Sequence, residues 1–248
     1  MVLIGLTGER QQGKSTVSEL LRACAPGTKI ADLEYSDALI KVSNHWLQAW
    51  PSQVSNTDFY HQVNALIAKL PDTIKLITGR SIDHRALLVD STDQASLELH
   101  KPLLRYLDSL SAPVTITREN KVDHRLILQW VAGRLRHFVG PTIWSEYYDG
   151  IIKRHLNDGF ALVTLGGLRH QAEAEHLKSV GGIVIRVSKP KFIGAGVDDP
   201  YTEQTMRAII PDTEIVNNGT LLELKRVVDK LWADIARGYA EPRYSATN

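Results

Sequence analysis

The chain has 248 residues, of which 43% are apolar and 23% charged, and a formal charge of +1 at pH 7. These values exclude bulk disorder, and the charge shows no overall basic excess of the kind that dedicated DNA-binding proteins carry. The single cysteine, Cys24, cannot form an internal disulfide, so we expect a reducing compartment. No stretch approaches the ~18 apolar residues of a membrane helix, and no export segment is recognisable. We therefore predict a cytoplasmic protein without a membrane partner.

Apolar runs that alternate with helical spacing predict an α/β protein. The chain starts with a buried strand at 2–6, a glycine-rich turn and a helix at 16–23. Further strands are predicted at 29–32, 160–165, 183–187 and 214–216, and further helices at 37–50, 124–138, 143–156, 171–179 and 221–235. Gly166 and Gly167 are expected to end the strand at 160–165, and residues 238–248 to form a poorly ordered tail. This alternation implies a mostly parallel sheet with right-handed crossovers.

The middle of the chain has a different pattern. Residues 51–118 are predicted to form a largely helical insertion in a core made of 1–50 and 119–240, followed by a tail at 241–248. Helices are expected at 59–70, where Pro71 would end the helix, and at 97–110. Short segments at 74–78 and 86–89 have the composition of strands or loops, and the segment at 113–117 is short and β-prone.

One loop carries a specific chemical signature. The segment Gly8-Glu-Arg-Gln-Gln-Gly13-Lys14-Ser15 fits the spacing G-x-x-x-x-G-K-[ST] of a P-loop. The glycines let backbone N–H groups turn toward phosphate oxygens, Lys14 can reach the β- and γ-phosphates, and the Ser15 hydroxyl can bind Mg²⁺. The loop therefore predicts binding of ATP and Mg²⁺. The residues expected to bind the nucleotide here are Gly8, Gln11, Gln12, Gly13, Lys14, Ser15 and Thr16.

Several segments resemble known kinases. Ile4-Gly-Leu-Thr-Gly8 and Gly13-Lys-Ser-Thr16 open the chain, and together they resemble the start of dephospho-coenzyme A kinases and nucleoside monophosphate kinases. Three later segments are Tyr35-Ser-Asp37-Ala-Leu39, then Arg125-Leu-Ile-Leu-Gln129 with Gly140 and Trp144, and Arg169-His-Gln-Ala-Glu173. These resemble segments of phage-type deoxynucleoside monophosphate kinases. The segment from Asp212 to Leu221 resembles the last strand and adenine-side loop of both families.

The resemblance implies a P-loop NTPase fold of three α/β/α layers and an ATP-dependent (deoxy)nucleoside monophosphate kinase that makes the diphosphate. It implies catalytic roles for Lys14, Asp37 and Arg169, and nucleotide contacts from Asn218 and Gly219. Acceptor contacts would come from Asp37, Arg125, Gln129, Trp144 and Arg169. A lid carrying Lys189, Lys191 and Arg207 around Gly194-Ala-Gly196 would close over the phosphates.

The chain departs from the family pattern at one position. The family usually places an acidic residue at the end of the strand before Arg169, where this chain has Gly166-Gly167. A carboxylate must then come from elsewhere, and Asp32 and Asp37 are the candidates. Structural roles stay open beside these functional ones. Asp37 can cap a helix, Trp144 can belong to the core, and Glu173 is expected on a helix surface.

Two alternative functions remain open. One is a P-loop kinase for a hydroxyl acceptor, either dephospho-coenzyme A or a hydroxymethylated base in DNA. The other is a nucleotide-binding protein without turnover, which the missing acidic residue suggests. A small nucleotide is the favoured acceptor, although a basic group keeps nucleic acid open: Arg118, Lys121, Arg125, Arg134 and Arg136. A homodimer also stays open.

Overall fold

A computed structural model describes residues 1–9, 11–48, 59–79, 81, 83, 100–110, 114–190, 200–238 and 243–245. The chain divides into two compact units, Met1–Tyr35 with Tyr148–Asn248, and Ser36–Tyr147. The insertion predicted at 51–118 lies inside the second unit, which also includes 36–50 and 119–147.

The first unit is built on a parallel sheet. Its strands are β1 (Val2–Thr7), β2 (Ile30–Glu34), β3 (Leu162–Leu168), β4 (Ile183–Ser188), β5 (Thr213–Val216) and β6 (Arg243–Ser245). They lie in the order β2-β3-β1-β4-β5-β6, and every neighbouring pair is parallel. The predicted α/β class and parallel sheet are confirmed. Connections leave β1 and β4 toward opposite edges, so the carboxyl ends of these two strands form a switch point at which ligands of such sheets bind.

Helices cover both faces of this sheet. They are α1 (Lys14–Ala23), α8 (Gln171–Ser179), α9 (Pro200–Ala208) and α10 (Leu221–Ala236). The apolar residues of α1 and α10 share one buried cluster with Ile4 and Leu6 of β1. Gly5 points to the opposite face, where a Cβ would lie 2.4 Å from a side-chain carbon of Leu177 in α8. Because successive strand residues face opposite sides, helices pack on each side of the sheet.

Three predictions for the first unit were wrong. The glycine pair does not end β3, which continues to Leu168. Leu6 of β1 pairs with Gly166 and Thr7 pairs with Leu168, so Gly167 is an extra residue in β3 that a shift in register accommodates. Residues 243–245, expected in a poorly ordered tail, pair with β5. Glu173 is not a surface residue, since it is 1% exposed. Its carboxylate accepts hydrogen bonds from the backbone N–H groups of Arg169 (2.8 Å) and His170 (3.3 Å), which occupies it as a helix cap.

All the regular secondary structure described in the second unit is helical. Its helices are α3 (Phe59–Ile67), α4 (Leu70–Thr78), α5 (Lys101–Ser109) and α6 (Arg125–Val139). Helix α2 (Tyr35–Gln48) leads into the unit, and α7 (Ile143–Asn157) leads out of it. Its core contains Trp46, Ile67, Leu70, Ile74, Leu103, Ile116, Ile127 and Trp144.

Two predictions for this unit were also wrong. Residues 74–78 are helical and belong to α4, because Pro71 lies in the first turn of that helix, where proline is tolerated, instead of ending the previous one. Residues 114–117 form no strand. The Asn44 side chain instead donates to the Ile116 carbonyl and accepts from the Ile116 N–H, both at 2.8 Å, so these backbone groups need no ladder. The segment predicted at 86–89 lies outside the described residues.

No helix in the described part of the chain is long and apolar enough to cross a membrane.

Candidate functional site

The predicted phosphate-binding loop lies between β1 and α1, at the carboxyl end of the central strand. It has positive φ angles at Gly8 (134°), Gln11 (60°) and Gly13 (99°). A Cβ on Gly8 would lie 2.2 Å from the carbonyl oxygen of Val187 in β4. Only glycine fits here, because both the backbone angle and the neighbouring backbone oxygen exclude a side chain.

The loop is also held from the end of β5. The Asn217 side-chain amide donates to the Gln12 carbonyl at 3.0 Å, and the Asn217 N–H donates to the Ser188 carbonyl at 2.7 Å. Gln12 is 8% exposed, and its Oε1 accepts from the Glu9 N–H at 3.0 Å. The loop backbone is therefore braced by β4 and β5 as well as by its own side chains.

The N-terminus of α1 adjoins this loop and has no side-chain cap at Gly13. Helix α1 begins at Lys14 after Gly13, and no side chain in the described residues caps it. By contrast, α10 is capped by Thr220, which accepts from the Glu223 N–H. An uncapped N-terminus leaves first-turn N–H groups and the positive end of the helix dipole available to an anion.

Lys14 completes this cationic environment. Its Nζ donates to the carbonyl oxygens of Gly8 (2.7 Å) and Glu9 (2.6 Å), so the ammonium lies over the loop. Ser15 is exposed one residue later. A triphosphate would replace these backbone acceptors with phosphate oxygens, which bind an ammonium more strongly.

Two of the three predicted lid residues lie in described parts of the chain. The Arg207 guanidinium in α9 pairs with the Glu9 carboxylate of the loop, with 2.6 Å between Nε and Oε1. The Arg186 side chain donates to the carbonyls of Arg207 and Ile209, which anchors the end of α9 on β4. Lys189 is exposed after β4. Lys191 and Gly194–Gly196 lie outside the described residues.

Arg169 follows β3 at the same edge of the sheet. Leu168, the residue before it, pairs with Thr7 in register, and the Thr7 hydroxyl donates to the Leu168 carbonyl at 3.1 Å. The Arg169 side chain is exposed. Since Gly8 follows Thr7, the backbones of Arg169 and the loop leave the sheet from neighbouring strands, about 5 Å apart.

Asp32 has a different environment from the one expected of a catalytic carboxylate. Its Oδ1 accepts hydrogen bonds from the hydroxyls of Ser18 (2.7 Å) and Thr164 (2.6 Å), which themselves lie 3.0 Å apart. Arg22 approaches its other oxygen at 3.8 Å. These bonds tie β2 to α1 and β3, so Asp32 stabilises the packing of the sheet and the helix.

Sequence reasoning overlooked Glu34. This residue ends β2 and pairs in register with Gly166. A Cβ on Gly166 would lie 3.3 Å from Cγ and 3.7 Å from Oε1 of Glu34, so the Glu34 side chain lies over the glycine. The signal that could have revealed it is an acidic residue at the end of a predicted strand, although the prediction ended that strand at Asp32.

Asp37 lies in the second unit, in the first turn of α2. Its carboxylate pairs with the Arg118 guanidinium through two bonds, Nε to Oδ1 at 2.6 Å and Nη2 to Oδ2. Lys121 donates to the neighbouring Ser36 hydroxyl at 3.2 Å. Asp37 is thus part of a charged group with two basic residues.

The other predicted acceptor residues also lie in the second unit. Arg125 is the first residue of α6, and Gln129, one turn later, is exposed. Gln129 lines a groove of about 450 Å³ together with Pro102, Leu103, Leu126, Trp130, Gly133, Arg134 and His137. Trp144 is 2% exposed and belongs to the core of the unit. In that position its ring offers no face to a base.

The loop predicted to lie on the adenine side follows β5. Asn218 and Gly219 lie between Asn217, which braces the phosphate loop, and Thr220, which caps α10. Both neighbours therefore have structural roles that determine where the two predicted nucleotide contacts lie.

Comparison with protein-family models and with curated proteins finds no match to this chain.

Proposed function

We propose that this chain is an ATP-dependent phosphotransferase with a P-loop NTPase fold, and that its acceptor is a (deoxy)nucleoside monophosphate. The observation that carries the proposal is the N-terminus of α1, which has no side-chain cap, with Lys14 folded over a loop whose positive φ angles and close neighbours favour glycine at positions 8 and 13. This combination suits a polyphosphate because it concentrates backbone donors and one positive charge at one point.

The residues present fit the nucleotide and its metal. The loop N–H groups and Lys14 would hold the phosphates, and the Ser15 hydroxyl would hold Mg²⁺. Mg²⁺-ATP supplies the phosphoryl group and a metal charge that offsets the phosphate oxygens. Lys14 would add a positive charge on the phosphoryl oxygens, and Arg169, which leaves the sheet beside the loop, would add a second.

The choice of acceptor depends on the resemblance to phage-type kinases, through Asp37, Arg125, Gln129 and Arg169. A phosphate acceptor is already ionised at neutral pH, so this reaction needs alignment and charge neutralisation more than a strong base. Arg169 suits this role, because a guanidinium can bind two phosphate oxygens at once.

Incubation of the protein with ATP, Mg²⁺ and a panel of nucleoside monophosphates tests the proposal. We expect a new diphosphate from at least one monophosphate, and its loss in Lys14→Ala. Dephospho-coenzyme A and hydroxymethylated DNA belong in the panel, because transfer to either would replace the monophosphate as acceptor. ATP binding without transfer to any of them would favour a non-catalytic protein, and unchanged turnover in Lys14→Ala would contradict the loop assignment.

A further inference from the structure

The carboxyl end of β3 has no side chain of its own where it pairs with β2. Gly166 occupies that position, and the side chain of Glu34 fills the space that a β3 side chain would take. The 3.3 Å separation between Glu34 Cγ and a Cβ on Gly166 is tighter than ordinary van der Waals contact. A side chain at 166 would therefore require the Glu34 side chain to shift by a few tenths of an ångström.

The backbone of Glu34 is held firmly. The buried Tyr148 donates its hydroxyl to the Glu34 carbonyl oxygen, and its ring packs edge-on against Tyr35 with 5.4 Å between centroids. Tyr35 and Tyr148 are 7% and 2% exposed, so this anchor lies in the core of the first unit. Glu34 projects from a rigid element, as a residue that binds a ligand with precision requires.

The geometry also indicates which part of α1 faces Glu34. Ser18 contacts Asp32 of β2 and Thr164 of β3, so these side chains share the face of the sheet that α1 covers. Two residues further along each strand, on the same face, are Glu34 and Gly166. Helix α1 begins at the carboxyl end of β1 and runs back along the sheet.

One turn before Ser18 on α1 are Lys14 and Ser15. A helical turn advances about 5.4 Å and two strand residues about 6.6 Å, so the two steps nearly match. Glu34 therefore lies at the level of the first turn of α1, next to the residues that form the end of the phosphate loop. Glu34 pairs with Gly166 of β3, and Gly166 pairs with Leu6 of β1. The Cα of Glu34 therefore lies two strands away from β1, at about 10 Å, and the glutamate side chain spans part of that distance.

We infer that Glu34 is the carboxylate that holds Mg²⁺ at the proposed nucleotide site, in place of an acidic residue at the end of β3. This inference rests on the proposed function. Mg²⁺ in nucleotide sites is bound by one or two carboxylates together with substrate phosphates, so a single well-placed glutamate beside Ser15 meets the requirement. Asp32 does not compete for this role, because Ser18 and Thr164 already occupy its Oδ1.

The test measures ATP binding with and without Mg²⁺, using a fluorescent ATP analogue in EDTA and in excess MgCl₂. Binding of Mn²⁺ to the protein–ATP complex, followed by electron paramagnetic resonance, reports the metal directly. The variants are Glu34→Gln and the double variant Glu34→Ala with Gly166→Asp. The second returns a carboxylate to β3 in the space that the glutamate vacates. Glu19→Gln, an exposed position on α1, is the matched control.

We expect Glu34→Gln to bind ATP like the parent in EDTA, which shows that the loop is folded, and to lose about 10-fold or more in Mn²⁺ affinity. The double variant should recover part of that affinity, and Glu19→Gln should match the parent. A Glu34→Gln protein with the parent's Mn²⁺ affinity overturns the assignment of Glu34 as the metal carboxylate and leaves the proposed function standing. A parent that binds ATP in neither buffer overturns the proposed function, and this inference with it.

Discussion

The Asn217 side-chain amide lies so close to Gly13 that a side chain on Gly13 would have to displace it. A Cβ at position 13 would lie 2.4 Å from Nδ2 of Asn217, whose amide donates to the Gln12 carbonyl at 3.0 Å. The glycine also has a φ of 99°, which other residues rarely adopt. The positive φ and the nearby Asn217 amide thus independently favour glycine at position 13.

Gly13→Ala is therefore expected to destabilise the protein more than a positive φ alone would. The left-handed angle should cost about 1–2 kcal/mol in the free energy of unfolding. The collision with Asn217 should add about 1–3 kcal/mol. Urea unfolding followed by circular dichroism measures both effects.

Gly159→Ala is the matched control. Gly159 also has a positive φ (75°), but a Cβ there meets nothing within 4 Å. Adding Asn217→Ala to Gly13→Ala should return part of the extra loss. Equal destabilisation by Gly13→Ala and Gly159→Ala would show that the close approach has no energetic consequence.

The Asp32 network predicts a structural effect without an effect on nucleotide binding. Asp32→Ala removes the acceptor of the Ser18 and Thr164 hydroxyls, and we expect a loss of about 1–3 kcal/mol in the free energy of unfolding. Asp32→Asn keeps an acceptor oxygen and should cost less. Both proteins, where folded, should bind Mg²⁺-ATP with the parent's affinity. A selective loss of Mg²⁺-dependent binding in Asp32→Asn would instead make Asp32 the metal carboxylate.

Glu9 places a negative charge beside the proposed phosphate site, offset by its pairing with Arg207. Glu9→Gln removes that charge, so ATP affinity should rise by about two- to five-fold. Arg207→Ala leaves the Glu9 charge without this partner, and affinity should fall. Titration with a fluorescent ATP analogue measures both changes, and higher salt should reduce them. Weaker binding by Glu9→Gln would contradict a direct electrostatic effect.

Asp37 and Arg118 form a two-bond pair that a double-mutant cycle can measure. The side chains are 32% and 52% exposed, so solvent screening limits the coupling to about 1 kcal/mol. The variants are Asp37→Asn, Arg118→Gln and both together, each followed by urea unfolding. A coupling energy near zero, with a raised KM for the acceptor in Asp37→Asn, would indicate that the carboxylate serves the acceptor and not Arg118.

Cys24 is expected to react slowly with alkylating reagents. Burial, together with a hydrogen bond to Asp229, raises the pKa of its thiol from 9.0 to about 11. Only the thiolate reacts, so at pH 8 the rate with iodoacetamide should be about 100-fold below that of a thiol with a pKa of 9.0. The rate should rise as the pH approaches 11. Mass spectrometry of the alkylated chain follows the reaction.

Asp229→Asn removes the charge that contributes to this shift, so Cys24 should react faster in that variant. The same chain unfolded in urea provides the rate of an unshielded thiol. Equal rates in the folded and unfolded chains would contradict the raised pKa.

Much of the first unit follows from local patterns. The loop from Gly8 to Ser15, the helix after it and the strands on either side are all encoded within a few residues, because backbone preferences and hydrophobic spacing act over that range. The helix predicted at 171–179 agrees with Gln171–Ser179. Errors arose where the same residue type is compatible with two local structures. A proline can follow the end of one helix or lie in the first turn of the next, as Pro71 does. A glycine pair can end a strand or, like Gly166-Gly167, continue it through a bulge.

The second unit was harder to predict because its residues satisfy each other across long stretches of chain. Ile116 lies in a β-prone segment, yet its backbone N–H and carbonyl form hydrogen bonds with the side chain of Asn44, 72 residues away, and not with a neighbouring strand. A tryptophan such as Trp144 can either stack on a base or belong to the core, and here it is only 2% exposed. Composition does not distinguish these outcomes, because burial depends on which helices pack together.

The sequence by itself determined the parallel α/β class of the first unit and the spacing of the glycines and lysine in its loop. These properties depend on residues that are neighbours in the chain. Only the tertiary structure showed that Asn217 braces the loop from 205 residues away, and that Arg207 pairs with Glu9 across 198. The same holds for Glu34, whose place over Gly166 depends on the register between β2 and β3. Register is set by the packing of whole strands and helices, so no local pattern contains it.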